Sequence, residues 1–123
     1  MKRILPIMAV LLLGAAGAWA QEKVDLSMSA GPVKEITLAN KGLAFTVNEI
    51  TVKKGDRIKL TFQVTMGTHD WVIDEFNAKT AIMGAGKQET IEFVADKTGT
   101  FEFYCSVPGH RQRGMFGKFI VVS

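Results

Sequence analysis

Cysteine and histidine are scarce in this sequence. The chain of 123 residues contains one cysteine, Cys105, and two histidines, His69 and His110. A single cysteine cannot form a disulfide within the chain, so the fold must be stabilised without one. In an exported protein, a lone thiol pairs with another chain, stays reactive or binds a further group.

Blocks of basic residues are absent, as are aromatic residues interleaved with lysines. The sequence has 15 basic and 12 acidic residues, but two of the basic ones, Lys2 and Arg3, belong to the apolar N-terminal segment. Without that segment, 13 basic and 12 acidic residues leave a net charge of +1. This balance is typical of a mixed, solvated surface, and nucleic acid is not expected as a partner.

The first twenty residues have the composition of a secretory signal peptide. A positive start precedes a long uncharged apolar run, and the AWA sequence at 18–20 is a small-x-small cleavage site. A retained membrane anchor is the alternative interpretation, whereas the lack of a nearby cysteine excludes a bacterial-type lipid anchor. We predict export to the periplasm or another extracytoplasmic space, with residues 1–20 as the signal peptide and residues 21–123 as a single domain.

Strand patterns dominate the rest of the chain. Residues 57–65 alternate strictly between polar and apolar side chains, the period of a half-buried strand. A hairpin turn is predicted at 54–56, and a phase shift near Asn48 predicts a bulge in the strand before it. A short helical turn is predicted at 77–83, capped by Asn77. The predicted strands are 33–38, 43–52, 57–65, 69–73, 89–94, 99–105 and 118–122.

Apolar residues at helical spacing are absent from every long window after residue 20. About seven to eight short strands separated by turns predict an all-β fold, a β-sandwich with Greek-key connections. Small and polar residues at 21–32 predict a loosely held start to the domain.

The strand GTFEFYC directs Cys105 towards the core. Phe101, Phe103 and Cys105 share one face of this strand, and the aromatic face is the one to bury. An inward thiol cannot easily reach another chain, so a buried inert thiol is the simplest interpretation of Cys105 taken alone.

Further metal-binding groups follow at regular spacing. Cys105, His110 and Met115 form a C-x4-H-x4-M pattern, with glycines and a proline that permit a tight loop. Upstream, His69 begins the run HDWVI, in which His69, Trp71 and Ile73 are predicted to face inward. Both histidines and the cysteine are therefore candidates for one site.

The chemistry of these groups favours copper. Two histidines and a cysteine in a plane, with a weak axial methionine, describe a blue-copper electron-transfer centre. A structural zinc site normally offers more cysteine or histidine and no methionine. A catalytic site needs an open coordination position and nearby acid–base groups, and the sequence offers no such set, so we do not expect an enzyme.

At these residues the chain resembles the cupredoxin family, in particular the plastocyanin/azurin-like type I blue copper proteins. The stretches GTFEFYCSVPGHRQRGMFGKFIVV and HDWVIDEF carry the resemblance. It implies one copper ion bound by His69, Cys105, His110 and Met115. It further implies a mobile one-electron carrier, a monomer, whose partners are redox proteins.

Two neighbouring residues are implied to support the site. Many relatives have asparagine after the first ligand histidine, and this chain has Asp70. The resemblance implies that Asp70 keeps the backbone contact to the cysteine sulfur and braces the loop through Ser106. A carboxylate there is expected to favour Cu(II) and lower the reduction potential.

An apolar rim around His110 is implied as the electron exit. Its predicted members are Met66, Pro108 and Phe116, with Met83 as a further candidate. Met28, Met66 and Met83 are also rival axial ligands, but Met115 lies on the cysteine loop and needs less chain ordering.

Other functions remain open at this point. A periplasmic copper carrier or storage protein would use exposed methionines and histidines and release its metal. Multicopper oxidases place histidines beside the cysteine, where this chain has Tyr104 and Ser106, and a binuclear centre needs a second cysteine. A metal-free adhesive sandwich would make the spacing of the four groups a coincidence.

Overall fold

The computed structural model describes residues 21–123, and the predicted signal peptide lies outside the described residues. Their regular structure consists of twelve strands and one short 3-10 helix, Asp74–Phe76. Seven strands have four or more residues, in line with the predicted sandwich, and five have only two. The strands are β1 (Glu22–Asp25), β2 (Val33–Lys41), β3 (Ala44–Phe45), β4 (Val47–Lys53), β5 (Arg57–Gln63), β6 (Thr68–His69), β7 (Val72–Ile73), β8 (Ala78–Lys79), β9 (Met83–Gly84), β10 (Gln88–Val94), β11 (Gly99–Tyr104) and β12 (Phe116–Val122).

Two sheets form the sandwich, which confirms the predicted all-β fold. Six strands lie in the order β1-β4-β12-β11-β7-β8, and four lie in the order β10-β5-β2-β3. β6 and β9 pair in a separate ribbon. Burial alternates along β2 and β5, so their sheet packs one face inward. The core draws on both sheets, with Ile50, Leu60, Phe103 and Phe119 among its members.

The predicted strand 69–73 is wrong as a single strand. It is divided into β6, which pairs with β9, and β7, which pairs with β8 and β11. The predicted burial of His69, Trp71 and Ile73 is confirmed, and Asp70 and Val72 between them are buried as well. The chain passes here from the ribbon into the six-stranded sheet, and both sides of the backbone are covered.

The predicted hairpin at 54–56 is also wrong. β4 and β5 lie in different sheets, and the turn carries the chain between them. The predicted strand 43–52 is interrupted at Thr46, because β3 pairs with β2 while β4 pairs with β12. The predicted bulge near Asn48 is confirmed: Glu22 of β1 pairs with Val47 and Lys23 pairs with Glu49, so Asn48 is the extra residue in β4. Thr46 holds this crossing by backbone and side-chain hydrogen bonds to Ala39, at 2.8 and 2.9 Å.

Two local predictions need similar correction. The helical turn lies before Asn77 rather than after it, and Asn77 ends it in the left-handed conformation (φ 51°, ψ 44°). Asparagine tolerates that conformation better than most residues. The start of the domain is not loosely held, because β1 adds to the six-stranded sheet parallel to β4.

The fold brings the two ends of the predicted ligand loop together. β11 leads into Cys105 and β12 follows Met115, and the two strands are antiparallel neighbours with Tyr104 opposite Phe116. Cys105 N donates to Met115 O at 3.1 Å and closes the loop. Within residues 21–123, no helix has the length and apolar character needed to cross a membrane.

A buried ion pair stabilises the crossing between the sheets, and its loss is testable. Asp56 Oδ2 accepts from Lys34 Nζ at 3.0 Å and from Lys53 N at 2.9 Å, and Lys34 is 3% exposed. Asp56→Ala leaves a buried charge without its partner, so we expect a loss of about 3 kcal/mol in the free energy of unfolding, measured by urea denaturation. As a control, Glu75→Ala removes the exposed ion pair with Lys97, and the free energy of unfolding should change by less than about 1 kcal/mol. Equal effects in the two variants would contradict this account.

Candidate metal centre

Three of the predicted ligands form a compact triangle. His69 Nδ1 and His110 Nδ1 are 3.2 Å apart. Cys105 Sγ lies 3.5 Å from His110 Nδ1 and 3.8 Å from His69 Nδ1. In the part of the chain that the structure describes, this is the one group of three or more cysteine, histidine or acidic residues placed closely enough to hold a metal ion.

The triangle fits a metal ion in its plane. Bonds of about 2.05 Å to nitrogen and about 2.3 Å to sulfur, at equal angles, separate the nitrogens by about 3.6 Å and nitrogen from sulfur by about 3.8 Å. The distances within the triangle differ from these values by a few tenths of an ångström, an adjustment within reach of small side-chain rotations. The protein therefore holds the donors close to bonding positions through its own contacts.

Met115 is the methionine best placed to be the fourth ligand. It is fully buried, whereas Met66 is 72% and Met28 is 91% exposed. Its backbone is tied to both loop ligands, since Met115 N donates to His110 O at 3.0 Å and Met115 O accepts from Cys105 N. Met83 is half-buried and lies opposite His69 in the ribbon.

The ligand loop folds back on itself as its sequence predicts. His110 N donates to Val107 O at 3.0 Å, and Arg113 N donates to His110 O at 3.1 Å. Gly109 and Gly114 adopt φ values of 86° and 108°, which side chains disfavour. These turns place His110 beside Cys105 although four residues separate them in the chain.

The orientation of His69 is determined by a backbone carbonyl. His69 Nε2 lies 3.0 Å from Met66 O. A carbonyl can only accept, so Nε2 carries the proton, and the lone pair of Nδ1 faces the other two members of the triangle. Gly67 makes this close return possible, because a Cβ there would lie 2.8 Å from His69 Nε2.

Asp70 and Ser106 are in direct contact. Asp70 Oδ1 accepts from Ser106 N at 2.6 Å, and Oδ2 accepts from Ser106 Oγ at 2.5 Å. Asp70 is only 3% exposed, so water competes little for these bonds. The carboxylate thereby joins the segment after His69 to the segment after Cys105.

Burial shifts the pKa values of two donors. It raises the pKa of the Cys105 thiol above its ordinary value, although backbone N–H groups of Asp70 and Val107 act in the opposite direction. Burial also lowers the pKa of His69, and the charge of a protonated His110 adds to this effect. The metal-free site therefore favours a neutral thiol and a neutral His69 imidazole.

Two residues predicted at the electron exit, Met66 and His110, line the same surface depression. This open depression of about 400 Å³ is lined by Met66, His69 and His110, together with Leu43 and Val107, which the sequence analysis did not identify. Pro108 and Phe116 are exposed near the ligand loop but do not line this depression.

A second surface feature lies on the other side of the loop. The Arg111 guanidinium stacks 3.9 Å from the Tyr104 ring centre and pairs with Glu102. Tyr104 Oη donates to Asp74 at 2.9 Å. Arg111 is thus held against β11 rather than free in solvent.

Comparison with known proteins places this fold and site in a family. The sequence matches the cupredoxin-like domain over residues 5–121. The chain belongs to the cupredoxin family. Its donor set, with one thiolate, two imidazoles and a buried thioether, suits one type I copper ion.

Individual cupredoxins show how far the similarity extends. Auracyanin-A of Chloroflexus aurantiacus is 28% identical, over 96% of this chain and 93% of that protein. The reduced auracyanin of Roseiflexus castenholzii is 26% identical, covers 85% of this chain and 100% of its own, and has a TM-score of 0.65. The metal-binding domain of a Cu(I)-exporting P-type ATPase from Streptococcus pneumoniae D39, described with Cu(I), also has a TM-score of 0.65, with 18% identity over 85% of this chain and 99% of that domain. At that identity the last likeness concerns the fold alone.

The raised pKa of Cys105 predicts proton release on metal binding. At pH 8 the thiol, whose pKa is raised, is protonated, and His69, whose pKa is lowered, is neutral, so the thiol should release about one proton for each Cu(II) bound. The apparent affinity should then fall about tenfold per pH unit as the pH decreases. Calorimetry in two buffers of different ionisation enthalpy measures the number of protons. Met115→Leu is the control: neither side chain titrates, so the variant should release the same number of protons. Copper binding without proton release would contradict a neutral thiol in the metal-free protein.

Proposed function

We propose that this protein is an exported one-electron carrier containing one type I copper ion, with His69, Cys105, His110 and Met115 as its ligands. The proposal is carried by the triangle of three donors at nearly bonding distances, of which His69 and Cys105 are buried and His110 is half-buried. Copper in such a site supplies a Cu(I)/Cu(II) couple. The chain supplies the frame that holds the donors and excludes water from them.

A rigid frame favours electron transfer over metal delivery. His69, Cys105 and Met115 are each 2% exposed or less, and hydrogen bonds hold the loop and His69 in place. Donors that move little need little rearrangement when the charge of the bound ion changes. A copper carrier or storage protein instead needs donors that a recipient can reach, and three of the four are closed to solvent.

His110 is the proposed exit for the electron. It is the one half-buried member of the four. Its Nδ1 faces the other donors, so the edge that carries Nε2 is turned away from them, towards the depression beside Met66. We propose that redox protein partners dock over this apolar surface, with Pro108 and Phe116 at its margin.

The proposed role includes a location outside the cytoplasm. The signal-like composition of residues 1–20 supports export, and a single domain of residues 21–123 would then carry the site. We propose that this domain acts as a monomer and is not an enzyme, because the enclosed donors leave no coordination position for a substrate.

Visible spectroscopy tests the function. After one equivalent of Cu(II), residues 21–123 should develop an intense blue thiolate-to-copper band that ascorbate bleaches and an oxidant restores. Cys105→Ser should lack the band because it lacks the thiolate. Copper bound without colour would point to a carrier or storage protein, and absence of binding would overturn both functions. Retention of copper through repeated redox cycles, with a chelator present, separates the electron carrier from a delivery protein.

The Asp70 carboxylate should influence the reduction potential. A negative charge close to the copper favours Cu(II), so Asp70→Asn should raise the potential by about 60 mV, a tenfold change in the preference between the two copper states. Asparagine retains an oxygen that can accept from Ser106. Glu92→Gln removes an exposed carboxylate on β10, in the other sheet, and should leave the potential unchanged. An unchanged or lower potential in Asp70→Asn would contradict this effect.

A further inference from the structure

Asn40 is a buried polar residue that lies outside the donor set. It lies near the end of β2 and is 2% exposed. Its side-chain amide donates to Gly42 O at 3.1 Å and to Met66 O at 3.0 Å, and its Oδ1 accepts from Thr65 N at 2.9 Å. Both polar atoms of this side chain are therefore engaged, and they hold two separate segments of backbone.

One of these segments has little other support. Val64 is held by backbone hydrogen bonds to Gly86 and Lys87. Residues 65–67 come next and belong to no strand. Thr65 contacts Asn40 three times, through its backbone N and through its hydroxyl, which lies 2.7 Å from Asn40 O and 3.2 Å from Oδ1. Asn40 therefore takes the place of a sheet neighbour for this stretch of chain.

The same segment presents the carbonyl that orients His69. Met66 O receives Asn40 Nδ2 and His69 Nε2, each at 3.0 Å. A carbonyl oxygen has two lone pairs, so both bonds can form together. The chain returns from Met66 to His69 through Gly67, where φ is 82° and a side chain would contact the His69 ring.

We infer that Asn40 is a positioning residue for the metal centre: by fixing the Met66 carbonyl, it fixes the imidazole ring of His69. This inference rests on His69 being a copper ligand, as proposed above. The side chain of Asn40 bonds to Gly42, Met66 and Thr65 and to none of the four proposed ligand side chains, so it acts through one backbone oxygen. Without its N–H donors, that oxygen is free to move and His69 loses its anchor.

The test uses three variants. Asn40→Asp keeps the shape and the acceptor for Thr65 but removes both donors. Asn40→Ser removes the two amide N–H donors without adding a charge. This variant provides the test if Asn40→Asp does not fold. Thr65→Val is the matched control, because it removes the hydroxyl contact to Asn40 and leaves the link to Met66 in place.

The first readout needs no copper. In the metal-free protein, NMR should detect a His69 Nε2–H proton that exchanges slowly with water. Its exchange should be about tenfold faster in both Asn40 variants, as expected when a hydrogen bond that restrains the ring is weakened, and unchanged in Thr65→Val. Unchanged exchange in both Asn40 variants would overturn the inference, as would equal acceleration in the control.

The second readout is spectroscopic. In the copper-loaded protein, the thiolate-to-copper band and the reduction potential should shift in Asn40→Ser and stay at wild-type values in Thr65→Val. Identical spectra and potentials in Asn40→Ser and wild type would show a merely structural residue and overturn the inference. If the wild type forms no blue site, the proposed function fails, while the exchange measurement still decides whether Asn40 anchors His69.

Discussion

The pairing of β11 with β12 is the constraint on which the metal centre depends. These strands are antiparallel neighbours in the six-stranded sheet, and the bond from Cys105 N to Met115 O closes the loop between them. A loop tied at both ends has few ways to fold, and its turns then bring His110 next to Cys105. Three of the four proposed ligands are thereby positioned by local structure, and only His69 has to arrive from a distant part of the chain.

His69 is brought in at the cost of burying polar groups. Asn40, His69 and Asp70 are all nearly inaccessible to water, and a buried polar group is tolerated only when it is hydrogen-bonded. Each has partners: backbone carbonyls for Asn40 and His69, and Ser106 for Asp70. The same bonds that satisfy these groups restrict their motion, which suits a centre that changes charge without changing shape.

The sequence predicted the sheet faces better than the strand partners. Alternation along β5 is visible in the residue types, since its apolar residues are the buried ones. In β2 the buried face also holds Lys34 and Asn40, which residue type alone would place on the exposed face. The crossing at 54–56 and the split of 69–73 were missed, because a turn signal does not say which sheet the next strand joins. Where every residue of a short segment is buried, as at 69–73, the sequence shows no alternation of polar and apolar residues from which a strand could be predicted.

The sequence by itself determined the fold class, the inward direction of Cys105 and the four candidate ligands, because strand period and loop spacing are local properties of the chain. The tertiary structure decided what no local pattern contains. It placed His69 Nδ1 within 3.8 Å of a sulfur that lies 36 residues away, and of the four methionines among residues 21–123 it buried Met115 completely. It also brought Asn40 and His69 to the same Met66 carbonyl, because hydrogen bonds between distant segments form only after the sheets have packed.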